Sequence, residues 1–383
     1  MNTVRLGDIA ELKTGPFGTQ LSAKEYVANG VPVINVKNIG YGNIIADELD
    51  YISQETCNRL AEHILQSGDI VFGRKGSVDR HAYIDEEHAG WFQGSDCIRV
   101  RANQGINSHY LSHYLKLNHI KKMVNSAAVG STMASLNTDI LKDIIVELPD
   151  IKVQDKIEML LSSIDEKIKN NEKINDNLEH QLQTLFGYLF NRKEIHASCR
   201  KGILSDIASI TMGQSPSGSS YNEIGEGCLF YQGSTDFGKI FPFPRIYTTQ
   251  PSRMATVMDT LLSVRAPVGT LNIAFEDCCI GRGLAAIHGV QNNNSYVRYL
   301  LKNSYWYFDN INNCGTTFGS LTKDNLYELP IYMPDSILVQ IFEEQANLLE
   351  KQIYNNELQN RMLICLRDWL LPMLMNGQAT IDD

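Results

Sequence analysis

The chain has 383 residues, 43% hydrophobic and 20% charged, with a formal charge of −10. That is enough for two or three globular units with their own cores. No apolar run approaches the ~18 residues a membrane span needs, and Met1-Asn2-Thr3-Val4-Arg5 opens no signal peptide. The eight cysteines are scattered, and no C-x-x-C occurs. This composition predicts a reduced, cytoplasmic protein with no structural zinc.

Along the chain, Val31–Val36 and Asp69–Phe72 read as short strands, and 54–66 and 107–123 as helices. From Asp150 to about Phe190 there is no proline, and an apolar ladder runs Ile157, Leu161, Ile164, Ile168, Asn171, Asn175, Leu178, Leu182, Leu185, Leu189. Its four-and-three spacing predicts a coiled-coil seam with two asparagines at its middle.

The rest of the chain repeats what came before. Gly130-Ser131-Thr132-Met133-Ala134-Ser135-Leu136-Asn137-Thr138-Asp139-Ile140-Leu141 returns 185 residues later as Gly315-Thr316-Thr317-Phe318-Gly319-Ser320-Leu321-Thr322-Lys323-Asp324-Asn325-Leu326, with six of twelve positions identical. Chance would give about one. Leu6-Gly7-Asp8-Ile9-Ala10 returns as Leu204-Ser205-Asp206-Ile207-Ala208, and Gly15 as Gly213. The run Asp69 to Val78 returns as Asp259 to Val268, with Lys75 matching Arg265. The ladder itself returns as Phe342, Ala346, Leu349, Ile353, Asn356, Asn360, Leu363, Arg367, Leu370, Leu374, in which Arg367 interrupts the seam and is expected at most to fray the helix end.

The fold expected is α+β: two similar mixed α/β domains at 1–150 and 196–335, and two long helices at 151–195 and 336–383. Only about a dozen residues join the first helix to the second domain. The second helix can then lie along the first only by running antiparallel. Facing the asparagine pairs pairs Asn171 with Asn360, Asn175 with Asn356, and Ile157 with Leu374. Buried asparagines cost stability but set register. The result would be a pseudo-two-fold dumbbell on a rod of ~50 Å, long enough to place two domains a turn or more apart on DNA. The alternative is two separate helices, each packed on its own domain.

These features resemble the specificity (S) subunit of type I restriction-modification enzymes. The carriers are Leu6-Gly7-Asp8-Ile9-Ala10 with Gly15, Gly68-Asp69-Ile70-Val71-Phe72-Gly73-Arg74-Lys75-Gly76, Gly130-Ser131-Thr132 with Leu136, Leu148-Pro149, and the long helix after each copy. The resemblance implies two target recognition domains, each reading half of a split double-stranded DNA site. It implies a coiled coil that sets the spacer and docks two methyltransferase subunits, with the restriction subunit joining that complex. It implies no catalysis by this chain and no cofactor of its own, so that S-adenosylmethionine, ATP and Mg belong to the partners. Arg265-Ala266-Pro267 in place of Lys75-Gly76-Ser77 departs from strict equivalence of the two copies.

Base reading needs forked donors and amides; phosphate holding needs basic or hydroxyl groups. Loop candidates in the first copy are Gln20, Lys37, Asn38, Arg74, Lys75, Ser77, Arg80, Ser131 and Thr132. In the second they are Gln214, Ser215, Gln232, Ser234, Thr235, Lys239, Arg265, Arg282, Thr316 and Thr317. Lys121-Lys122 reads mainly as a solvated helix face. The acidic balance favours a competing reading, a protein–protein scaffold without DNA contact. A nuclease reading of Pro149-Asp150 with Asp165-Glu166-Lys167 is weak, because Asp165 and Lys167 flank the seam and the second copy lacks the pattern.

Overall fold

The computed structural model describes residues 2–18, 20–128, 135–191, 199–313 and 320–381. Its contacts divide it into two units: Met1–Lys169 with Asn360–Asp383, and Asn170–Gln359.

In the first unit a five-stranded sheet runs in the order Ala10–Thr14, Cys97–Ala102, Ile70–Gly73, His81–Tyr83, Tyr41–Gly42. A four-stranded sheet runs Tyr26–Val27, Asp50–Ile52, Val31–Ile34, Phe92–Gln93, the last two parallel. A separate ribbon pairs Asn2–Arg5 with Ile145–Leu148. The second unit repeats the frame. Its four-stranded sheet is Ala208–Met212, Leu284–Gly289, Thr260–Ser263, Leu271–Ile273. Its five-stranded sheet contains the matching parallel pair, Cys228–Tyr231 with Cys278–Ile280. Its ribbon pairs Arg200–Ile203 with Pro330–Met333.

The repeated residues are the ones this frame requires. Ile70, Val71 and Phe72 are buried on both faces of their sheet, as are Leu261 and Leu262, so they read as apolar runs rather than alternation. Asp69 and Asp259 are buried at the start of these strands. Each accepts a backbone N–H three residues back, from Gln66 and Thr256 (both 2.8 Å). Each also holds a cation-forming side chain, Arg101 at 2.7 Å and His288 at 2.7 Å. Gly15 and Gly213 lie where a Cβ would fall 2.0 Å from the Gly94 carbonyl and 2.1 Å from the Gly281 carbonyl. Only glycine permits that approach.

The expected strands are present as Val31–Ile34 and Ile70–Gly73. The two shorter helices are corrected. Helix 54–66 stops after Gln54–Arg59 and a short turn at Ala61–His63, because Ile64 leaves in extended conformation to bridge Phe92. Helix 107–123 is two helices, Ser108–Leu115 and Asn118–Ala127. Buried Leu117 is extended between them, which lets two apolar faces that one straight helix would separate enter one core.

The long helices are Ile151–Phe190 and Ser336–Met375, 40 residues each. They run antiparallel within each unit. In the first, Arg367 donates to Asp165 at 2.8 Å, and Ile157 and Leu161 share a core with Leu371 and Leu374. In the second, Asn356 donates to Asn175 at 2.8 Å, the pairing expected. Asn171 donates to Gln359 at 2.8 Å, and Asn360 is buried. The seam leaves its four-and-three course near the end of the first helix. Leu182, Phe186 and Phe190 are buried, while Leu185 and Leu189 are half-buried, because the phenylalanine rings pack on Phe342 and Tyr296. Arg367 frays nothing: the helix continues to Met375. Burial disfavours its charge, but Asp165 and Asp368 hold it above the ordinary arginine value.

The helices grip the domains through carboxylates at repeated positions. Asp165 meets Lys116 at 3.6 Å; 185 residues later, Glu350 meets buried Arg298 at 2.5 Å. Glu158 meets His109 at 3.1 Å, and its counterpart Glu343 accepts the Tyr296 N–H at 2.6 Å.

Candidate nucleic-acid interface

Three turns of the second unit are laced together by main-chain bonds. Val264 N–H donates to the Gly283 carbonyl (2.9 Å), Gly283 N–H to the Gln232 carbonyl (3.1 Å), and Gly281 N–H to the Tyr231 carbonyl (2.8 Å). Buried Asp236 accepts the Gln232 N–H at 3.2 Å and holds Arg245 at 2.8 Å, an acceptor that keeps the guanidinium charged. A Cβ on Gly283 would fall 2.5 Å from the Gln232 carbonyl, so this turn cannot carry a side chain there without moving.

The turns enclose a pocket lined by Gln232, Gly233, Ser234, Thr235, Arg265, Ala266, Arg282 and Gly283. Five of the ten second-copy candidates meet here: Gln232, Ser234, Thr235, Arg265 and Arg282. A sixth, Ser215, accepts the Arg282 N–H at 3.3 Å. Arg265 and Arg282 are exposed, and no carboxylate lines the pocket. Two guanidinium forks, an amide and hydroxyls around one concavity form a donor set suited to guanine, adenine and phosphate. Gln214 is exposed nearby, with its carbonyl taken by Ser252. Lys239 is drawn off to Asp176 at 2.5 Å.

The first unit builds the same frame. Arg74 N–H donates to the Asp96 carbonyl (2.7 Å) and Gly94 N–H to the Ile34 carbonyl (2.9 Å). Lys75 bridges Ser135 as Arg265 bridges Ser320. The side chains differ. Asp96 stands where the second copy has Gly283 and pairs with Lys75 at 2.9 Å, and Ser95 stands where it has Arg282. Arg74 lies 5.8 Å above the exposed Phe17 ring.

The other first-copy candidates are dispersed. Asn38 is wholly buried and serves its own loop, accepting the Asn35 N–H at 3.2 Å and donating to the Ile45 and Asp47 carbonyls at 3.0 Å. Lys37 pairs with Asp50 at 3.2 Å, and the Gln20 carbonyl accepts from Arg59 at 3.1 Å. Ser77 is half-buried in the turn that leads to Arg80, which stacks on Tyr41 at 4.9 Å. Ser131, Thr132, Thr316 and Thr317 lie outside the described residues. Phe17 and Asp96 were missed by sequence reasoning. Aligning Gly94 with Gly281 would have placed Asp96 opposite Gly283.

Among the described residues, only Asp85, Glu87 and His88 bring three ligand-type atoms within 4.8 Å, and Asp85 and His88 already bond each other at 2.5 Å. No described helix is long and apolar enough to cross a membrane.

Comparison with known proteins gives the chain a family. Residues 1–180 match the model of the type I restriction modification DNA specificity domain. Over 376 residues, covering 92% of this chain and 88% of the relative, the chain is 31% identical to a specificity subunit named for the type I restriction enzyme MjaX of Methanocaldococcus jannaschii. The chain belongs to the specificity subunits of type I restriction enzymes. The MjaIX specificity subunit of the same organism is 22% identical over 419 residues, covering 99% of this chain and 93% of that one. The crystal structure of the type I restriction-modification S subunit from M. genitalium is 15% identical and covers 98% of this chain and 96% of its own. Its TM-score of 0.59 supports the fold. This specificity subunit is the DNA sequence-recognition component of a type I restriction-modification complex, and a non-catalytic one. Nothing in these comparisons favours the scaffold without DNA contact.

Proposed function

We propose that the chain reads a split duplex site, with one half at the Gln232–Arg265–Arg282 pocket and the other at the corresponding turns around Arg74 and Lys75. The observation that carries this reading is the convergence of five candidate donors on one acid-free pocket whose main-chain frame recurs in the other unit. The side-chain differences, Asp96 for Gly283 and Ser95 for Arg282, support different half-sites. In this reading two methyltransferase subunits dock on the chain, the restriction subunit joins them, and S-adenosylmethionine, ATP and Mg act on those partners. The antiparallel helices set the spacer.

The test is made on the chain assembled with its methyltransferase partner. Arg282→Ala and Arg265→Ala should each cost about 1–3 kcal/mol of discrimination at one base pair of one half-site and leave the other half unchanged, as read by sequencing methylated DNA. Affinity should fall steeply with salt. Methylation at an unaltered sequence with unaltered binding in both variants would refute the assignment.

A further inference from the structure

A second basic feature of the first unit is absorbed by neither the reading turns nor the helix seam. Tyr41, half exposed, carries two cations: the Arg80 guanidinium is 4.9 Å from its ring centroid and the Lys121 ammonium 4.7 Å. The two charges are therefore less than about 10 Å apart by the triangle inequality. Cations that close can hold the backbone of one DNA strand, each through a charge-assisted bond of ~2.8 Å to a phosphate oxygen. Among the described residues neither cation has a carboxylate partner, and the Arg80 Nε is buried without a hydrogen bond. Tyr41 and Lys121 open into a pocket that Lys116, His119 and Arg367 also line. There Asp165 and Asp368 answer Lys116 and Arg367.

Two observations set this cluster apart from the scaffold. The second copy does not repeat it: matching Tyr110 with Tyr296, whose hydroxyls donate to the Glu147 and Tyr332 carbonyls, puts Lys116 on Lys302, but Lys121 falls in the stretch Tyr305-Trp306-Tyr307-Phe308, which holds no cation, and Arg80 falls on Thr270. The cluster is also continuous with the reading turns. Arg80 follows Lys75 by five residues, at most ~18 Å of extended chain, and the next residue, His81, pairs with Tyr41 in the sheet. At ~3.4 Å per base pair, that reach is about five base pairs.

We infer that Arg80 and Lys121, seated on Tyr41, form a backbone-phosphate site that holds the duplex beside the first half-site. This rests on the DNA-recognition reading above and adds a contact present in one unit only. It positions DNA and reads no base.

The test uses the chain with its methyltransferase partner and labelled duplexes with and without the recognised site. The Arg80→Ala/Lys121→Ala double variant should bind both duplexes more weakly by the same factor, about fivefold per lost phosphate contact at 0.15 M salt. Its log–log salt slope should be shallower by about one to two. The methylated sequence should not change, and Arg80→Lys/Lys121→Arg should restore most of the affinity. A duplex with one neutral methylphosphonate at the contacted position should weaken wild type but not the double variant. An unchanged salt slope in a double variant that still assembles overturns the inference while leaving base reading intact, and so does a changed methylated sequence. Loss of methyltransferase assembly in place of DNA affinity also overturns it, making the surface a protein-docking one. Wild type without salt-dependent DNA binding removes this inference together with the reading it rests on.

Discussion

Glu350 offers the sharpest test of how the second domain is held to its helix. Its partner Arg298 is 1% exposed and also donates to the Met258 carbonyl at 2.8 Å and to Thr260 Oγ1 at 3.3 Å. Those two residues lead into the strand that delivers Arg265 to the Gln232–Arg265–Arg282 pocket. Glu350→Leu leaves a buried guanidinium without its countercharge, at a cost of about 3–5 kcal/mol. In a unit of this size each kcal/mol shifts Tm by about 2–4 °C, so the second unit should melt about 6–20 °C lower. Adding Arg298→Met removes the stranded charge and should recover most of the loss. A remnant of about 1–3 kcal/mol should persist, because the Met258 carbonyl loses its donor. Calorimetry of the full chain reads the transitions, and binding to the cognate duplex reads the pocket. If Glu350→Leu costs under 1 kcal/mol, or the double variant is no better than the single, the pair is not the anchor described.

Gly213→Ala places a methyl 2.1 Å from one backbone oxygen and 2.8 Å from another; it should cost more than about 4 kcal/mol. Gly218→Ala, with open space around it, should be close to neutral by denaturant titration. Glu343 is a pH-dependent liability: burial pushes its carboxyl up to about 7, although the Tyr296 N–H pulls the other way. Because the folded pKa lies above the ordinary 4.5, the folded form binds the extra proton, and stability is lost as pH rises from about 4.5 through 7. Glu343→Gln should therefore stabilise by up to about 3 kcal/mol at pH 8 and do nothing at pH 4, as urea titrations at the two pH values will read. Inserting four residues near Asn171 and four at its partner adds ~6 Å of helix. If the helices are the ruler, methylated half-sites should move about two base pairs apart, and an unchanged gap removes that role.

The repeat was legible because the frame depends on residue types that nothing else can replace. Gly15 and Gly213 meet a carbonyl, Asp69 and Asp259 close a turn, and the asparagines mark the seam. The antiparallel course followed from a linker too short for any other. What stayed hidden depends on how distant segments meet. Asn38 looks like a loop amide and is consumed by its own loop. Lys121 looks like a solvated helix face, and only folding brings Tyr41 and Arg80 to it. Ile64 obeys a helical spacing until a bridge to Phe92 offers a better partner, and Leu117 breaks a helix to enter a core. The second pocket was half visible as a set of donor types, but that its turns share one wall was not. Asp96 was invisible because drifting loop lengths hid its alignment with Gly283.

If these turns read bases, their main-chain lacing has an evolutionary consequence. The bonds from Val264 to Gly283 and from Arg74 to Asp96 run between peptide groups, so they are indifferent to the side chains at 265, 282, 74, 75 and 95. Changing those side chains gives up no frame bond. A new target preference is then one or two substitutions away, without a stability valley to cross. The two copies, one with a lysine–aspartate pair and one with two exposed arginines, are two settings that the same scaffold already tolerates within a single chain.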